Sequence, residues 1–168
     1  MPAQTLKWIP SGDAGSFATL DMMRRLANAA LTDPVVVKTA RSAIAVAGPR
    51  DRDEHARAIK RYMQESFQFV SDPRGVETLS TPRAMLLDIQ RRGMAQGDCD
   101  EAAILAAALG KAVGLRAQYV VVGFYRRGAP FVHVFTILRG TTGWLSLDVT
   151  RPMRPDLPPV TRRKHVEV

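Results

Sequence analysis

The sequence predicts an α+β domain in which N-terminal helices lead to a cysteine-bearing helix packed on an antiparallel sheet. Three observations predict it. Apolar residues recur at helical spacing through most of the first 113 positions; the period switches to two after Leu115; and the segments of period two are joined by short Gly/Pro turns, as in a meander. At 168 residues, 46% of them hydrophobic, the chain is long enough for one domain with one core.

Each element has a local reason. Over residues 16–31, Phe17, Leu20, Met23, Leu26 and Ala30 fall on one face of an amphipathic helix. Asp33 followed by Pro34 supplies a cap and a first-turn proline, so a second helix runs over 34–47 until Gly48-Pro49 stops it. A third begins near Asp51 or Asp53 and buries Ala56, Ile59, Tyr62 and Met63, with Phe67 at its far end. FQFVSDPRGVETL then joins aromatic and branched residues to Asp72-Pro73 and Gly75, the mark of a short extended piece and a turn. Thr81-Pro82 repeats the cap-plus-proline device and opens a helix to Arg92, with Gly93 as its stop. After a loop over 93–97 comes a helix over 98–113, whose Ile104, Leu105, Ala108, Leu109, Ala112 and Val113 form a stripe expected to cover one face of the sheet. Strands are expected over 116–125, 131–138 and 144–149, the middle one apolar on both faces and therefore interior. The remainder, TRPMRPDLPPVTRRKHVEV, is rich in proline and arginine and reads as an extended arm or frayed tail.

Composition removes several functions. The longest apolar run, residues 102–109, is far short of the about 20 residues that span a bilayer, and MPAQTLKWIP lacks the basic start and apolar run of a secretory signal. The expectation is a cytoplasmic or virion-associated protein with no membrane partner. One cysteine permits no internal disulfide and no paired-thiol metal site, and His55, His133 and His165 lack ligand spacing, so neither metal nor cofactor is expected. The formal charge of +8 sits largely in doublets such as Arg24-Arg25, Arg91-Arg92 and Arg126-Arg127 and in Arg162-Arg163-Lys164. These would attract polyanions, but no helix joins a basic stripe to interleaved aromatics, so nucleic acid is not the expected partner.

The chemistry-bearing residues lie in the second half. Asp98 is a good N-cap and Glu101 completes a variant capping box, which puts Cys99 at the first helical position. There the helix dipole favours a thiolate and the Cys99 N–H can hold an oxyanion, while Asp100 and Glu101 oppose the thiolate. A histidine partner would tip that balance. His133 lies in the middle strand and Asp148 in the last. With a four-residue loop over 139–142, Leu138 pairs with Gly143 and His133 stands opposite Asp148; a five-residue loop separates them unless a bulge intervenes. Singly, a strand histidine is a core group and a strand-end aspartate a turn former. Facing each other in a buried hairpin, each would be costly to bury alone.

GDCDEAAILAAALGKAVGL, then a strand, then HVFTIL and WLSLDVT resemble the core of the transglutaminase-like superfamily, with its cysteine at a helix start, its histidine in HV and its aspartate in W-x-x-x-D-x-T. FQFVSDPRGVETLSTPRAML and WIPSGDAGSFATLDMMRRLANAAL are similar to bacterial and bacteriophage members. The resemblance implies Cys99 as nucleophile, His133 as base, Asp148 as orienting acid and a papain-like mechanism through a thioester. DVT stands where DPT is common, which leaves the aspartate in place. Gln68 and Gln96 are the two candidates for a second oxyanion donor. Residues 1–150 are then one transglutaminase-like domain, helical over 14–92 with a catalytic core over 93–150, and 151–168 a tail.

Two readings follow. In the first the protein is a cysteine-dependent peptidase or amidase, ahead of a cross-linking acyltransferase, acting on a protein or peptide such as a phage structural protein or a cell-wall peptide. In the second it is a non-catalytic phage assembly or adaptor protein that keeps the fold and docks through its basic tail. An alkylation profile of Cys99 lying below that of a free thiol is the mark expected of the first.

Overall fold

The computed structural model describes residues 4–6, 12–72, 78–126, 128–150 and 160–168. In chain order they form β1 (Gln4–Leu6), α1 (Asp13–Ala29), α2 (Pro34–Ala43), α3 (Arg52–Ser66), β2 (Phe67–Phe69), β3 (Thr78–Ser80), α4 (Pro82–Arg92), β4 (Ala95–Gly97), α5 (Cys99–Ala112), β5 (Arg116–Phe124), β6 (His133–Arg139), β7 (Trp144–Ser146) and β8 (Val160–Glu167). The fold is α+β, as expected. The turn at Asp72-Pro73 and Gly75, Arg127 of the Arg126-Arg127 turn, and residues 151–159 of the expected tail lie wholly or partly outside the described residues.

The helix starts follow the cap chemistry. Asp33 accepts from the Val35 N–H at 2.8 Å, Asp51 from Glu54 at 2.9 Å, and Thr81 from Ala84 at 3.2 Å. Gly93, at φ 81°, takes the left-handed conformation that ends α4. The α1 start differs: its N-cap is Gly12, with no side-chain cap.

Helix α5 is not a one-sided amphipathic helix. Every residue from Ala102 to Gly110 is buried, because α1, α2 and α3 pack on it as well as the sheet. A helix apolar on all sides belongs in the interior, and its alanines let neighbours approach closely. The tightest approach is at Gly110, where a Cβ would lie 2.4 Å from Leu138 Cδ2 and 3.1 Å from Leu138 Cγ, on a side chain that is itself fully buried. Gly110→Val is therefore expected to lower stability by about 1–3 kcal/mol in urea unfolding, the usual cost of overpacking; an unchanged midpoint would show that the interface yields.

The main sheet has the order β7-β6-β5-β8, each neighbour antiparallel. Two small pairs flank it, β1 with β3 antiparallel and β2 with β4 parallel. On the α5 side stand Ala117, Tyr119 and Val121 of β5 with Val134 and Leu138 of β6, and the Thr136 hydroxyl donates to the Ala103 carbonyl at 2.7 Å. Val120, Val122, Phe124 and Ile137 form a second, smaller cluster on the other side.

Two expectations are corrected. The β6–β7 loop does have four residues, but they are 140–143, so Arg139 pairs with Trp144 and Leu138 with Leu145, two residues out of the expected register. Gly140 donates to the Gly143 carbonyl at 2.8 Å, and Asp53 of α3 accepts from the Thr142 N–H at 3.2 Å, which fixes this turn from outside the hairpin. A two-residue slide keeps every side chain on its face, whereas a one-residue slide would have reversed them. Second, residues 160–167 are not a frayed tail: they form β8, paired with β5 from Gln118↔Glu167 to Phe124↔Val160. Its run TRRKH hides the strand because an edge strand is commonly guarded by Lys and Arg rather than marked by apolar alternation.

Candidate active site

Cys99 occupies the first position of α5 because the capping box forms there: the Asp98 carboxylate accepts from Asp100 N–H at 2.8 Å, and Glu101 accepts from Asp98 N–H at 3.1 Å. The glycine of GDC has a reason too. A Cβ at Gly97 would lie 2.7 Å from Glu101 Cβ and 3.1 Å from its Oε2, so only glycine lets Glu101 fold back over the strand that enters the helix. Glu101 is buried, and burial, then the Asp98 charge, pushes its carboxyl up to about 8.

Cys99, a half-buried residue, lines a cleft of about 350 Å³. Asp98, Cys99 and Asp100 form one side of it, His133 and Val134 another, and Gly12, the N-cap of α1, with Ser16 and Thr19 of α1 a third. Arg162 of β8 braces the α1 wall. Its guanidinium meets Asp13 at 2.8 Å, donates to the Ala129 carbonyl at 3.0 Å and lies 4.1 Å over the Phe131 ring, another lining residue. That wall is not legible in the sequence as part of a site, since α1 gives the cleft no titratable side chain.

His133 and Asp148 do meet. His133 Nε2 lies 2.9 Å from Asp148 Oδ2, with side chains only 6% and 12% exposed. Because the ladder stops at Ser146, Asp148 reaches His133 from the segment after β7, where the Leu147 N–H donates to the Thr136 carbonyl at 2.8 Å. Asp148 also accepts from the Thr150 hydroxyl at 3.4 Å, which gives the threonine of W-x-x-x-D-x-T a purpose. The imidazole lies 6.4 Å from the Phe124 ring, nearly parallel to it, and 5.9 Å from the Phe135 ring.

Cys99 lines the same cleft as His133, but its thiol donates to Asp100 Oδ1 at 3.6 Å and not to the imidazole in this structure. The backbone N–H of Val134, the residue after His133, points at the sulfur. Burial raises the thiol well above its ordinary value, and Asp100 and Asp98 raise it further, against the lowering by Val134. The expectation of a lowered thiol pKa is thus reversed in this conformation. Glu101, expected to oppose the thiolate directly, is turned back into the cap instead.

Gln68 and Gln96 stand opposite each other in the parallel β2–β4 pair, Gln96 Nε2 donating to Gln68 Oε1 at 2.9 Å, and neither lines the cleft. Asp98, Cys99 and Asp100 bring their donor atoms within 4.8 Å of one another. That spacing follows from the helix start itself, since Asp98 caps Asp100 and Asp100 accepts from the thiol. No described helix is long and apolar enough to cross a membrane.

A family model described as the transglutaminase-like superfamily matches residues 39–149, more than half of the chain. The match takes in Cys99, His133 and Asp148 and leaves out α1 and β8. No curated protein and no solved structure matches the chain.

Proposed function

The chain belongs to the transglutaminase-like superfamily, and from that membership we propose that it is a cysteine-dependent enzyme that opens amide bonds through a thioester. Hydrolysis of a protein or peptide is the favoured outcome over cross-linking. The observation that carries this reading is that His133, backed by Asp148, lines the same cleft as a cysteine at a helix start.

The chemistry assigns each group a step. With Nε2–H donating to Asp148, the imidazole keeps Nδ1 as its acceptor. The thiol leaves Asp100, gives its proton to His133, and the sulfur attacks the substrate carbonyl. The N–H of Cys99, aligned with the α5 dipole, stabilises the oxyanion. The imidazolium then protonates the departing amine, leaving a thioester on Cys99, and water activated by His133 attacks it to release the acid and restore the thiol.

Treating the protein with 4-nitrophenyl acetate tests this. An acetyl group is expected on Cys99, labile to hydroxylamine, absent from Cys99→Ala, and formed faster than on the thiol of the urea-unfolded chain. Released as acetate even with methylamine present, it marks a hydrolase; as N-methylacetamide, an acyltransferase. Acetylation no faster than in the unfolded chain would end the enzymatic reading.

A further inference from the structure

Among the described residues the Tyr119 hydroxyl is the buried side-chain polar atom that has no hydrogen-bond partner. Native proteins seldom leave such a group unpaired, and where they do a use is worth seeking. Its place in the fold suggests one. Tyr119 is fully buried on the α5 side of β5, directly opposite Thr136, whose hydroxyl is bonded to the Ala103 carbonyl in the first turns of α5. Asp100 is three residues before Ala103 and so shares its side of the helix. The same carboxylate accepts the Cys99 thiol and, by its charge, adds to the burial that pushes the Tyr119 phenol up. One acceptor therefore holds the thiol and acts by its charge on a buried phenol that has no partner of its own.

We propose that Asp100 moves between the Cys99 thiol, which it holds in this structure, and the Tyr119 phenol, so that Tyr119 is a positioning residue that draws Asp100 off the sulfur and frees it for reaction. The exchange transfers no proton; it replaces one hydrogen bond by another. The inference rests on Cys99 being the nucleophile. Other charged or titratable groups lining the cleft beside the thiol are Asp98 at the N-cap of α5 and His133 on β6, the latter backed by Asp148; α1 contributes no charged side chain to the cleft lining.

The test follows two readouts, alkylation of Cys99 by iodoacetamide against pH and its acetylation by 4-nitrophenyl acetate. In Tyr119→Phe, Asp100 stays with the sulfur: acetylation falls about tenfold and the alkylation midpoint rises by about one pH unit, the same change in free energy. Thermal stability stays level or rises, because the lost hydroxyl makes no bond in this structure. In Asp100→Asn the midpoint falls, and adding Tyr119→Phe to that background changes neither readout. A Tyr119→Phe protein with wild-type midpoint and rate overturns the proposal, as does an equal effect in both backgrounds. Alkylation reports the thiol whether or not the protein is an enzyme, so failure of the catalytic reading, seen as acetylation indifferent to His133, is separable from failure of this one.

Discussion

Replacing His133 by glutamine or alanine is expected to slow acetylation of Cys99 by about 10²–10⁴-fold, the range that a positioned general base contributes. The thiol is held protonated by burial and by Asp100 and Asp98, so little thiolate exists near neutral pH and the rate depends on a base that removes the proton as the sulfur attacks. Asp148→Asn tests the next link. It removes the charge that stabilises the imidazolium while keeping a side chain in place, and it should slow the same step with the Cys99 alkylation midpoint altered less. Since the pair is buried, removing one partner strands the other, and the glutamine variant guards against mistaking an unfolded protein for an inactive one. A His133→Gln protein that is folded and acetylates at the wild-type rate would remove histidine from the reaction.

The second large effect is on stability. Glu101 has its carboxyl raised to about 8 in the fold by burial and by Asp98, against 4.5 for the free side chain. The folded state therefore holds a proton that the unfolded chain releases. The stability associated with this proton is fully present below about pH 4.5, is lost as pH rises towards 8, and changes no further above that. Each pH unit across that window costs about 1.36 kcal/mol, which makes the whole loss on the order of a few kcal/mol. Glu101→Gln should abolish it: the amide oxygen can accept from the Asp98 N–H as now, and its NH₂ can donate to the Asp98 carboxylate as the protonated acid does. Urea midpoints of the two proteins are expected to agree near pH 4 and to diverge in favour of the variant up to pH 8. Parallel curves would mean that Glu101 is ionised in the fold throughout.

Much of this architecture is legible in the sequence because its causes are local. Asp33, Asp51, Thr81 and Asp98 announce helix starts through a hydrogen bond spanning two or three residues, and Gly93 announces a stop by a conformation that suits glycine. His133 and Asp148 are recognisable as partners through face alternation, which survives an error of two in the register. What stays hidden depends on contacts distant in sequence. The β6–β7 turn is set by Asp53, 89 positions from Thr142. β8 is a strand because β5 offers it an edge, and its own residues look like solvated surface. Burial of α5 on all sides cannot be separated from a one-sided stripe, since alanine suits either. The thiol's orientation towards Asp100 is a rotamer preference decided by its surroundings.

The brace from Arg162 to Asp13 joins positions 149 apart in sequence, and it lies on a strand that a ribosome makes after Cys99, His133 and Asp148. Until β8 has been made and has paired with β5, Cys99, His133 and Asp148 can all be present in the chain while the wall beside them still lacks its brace.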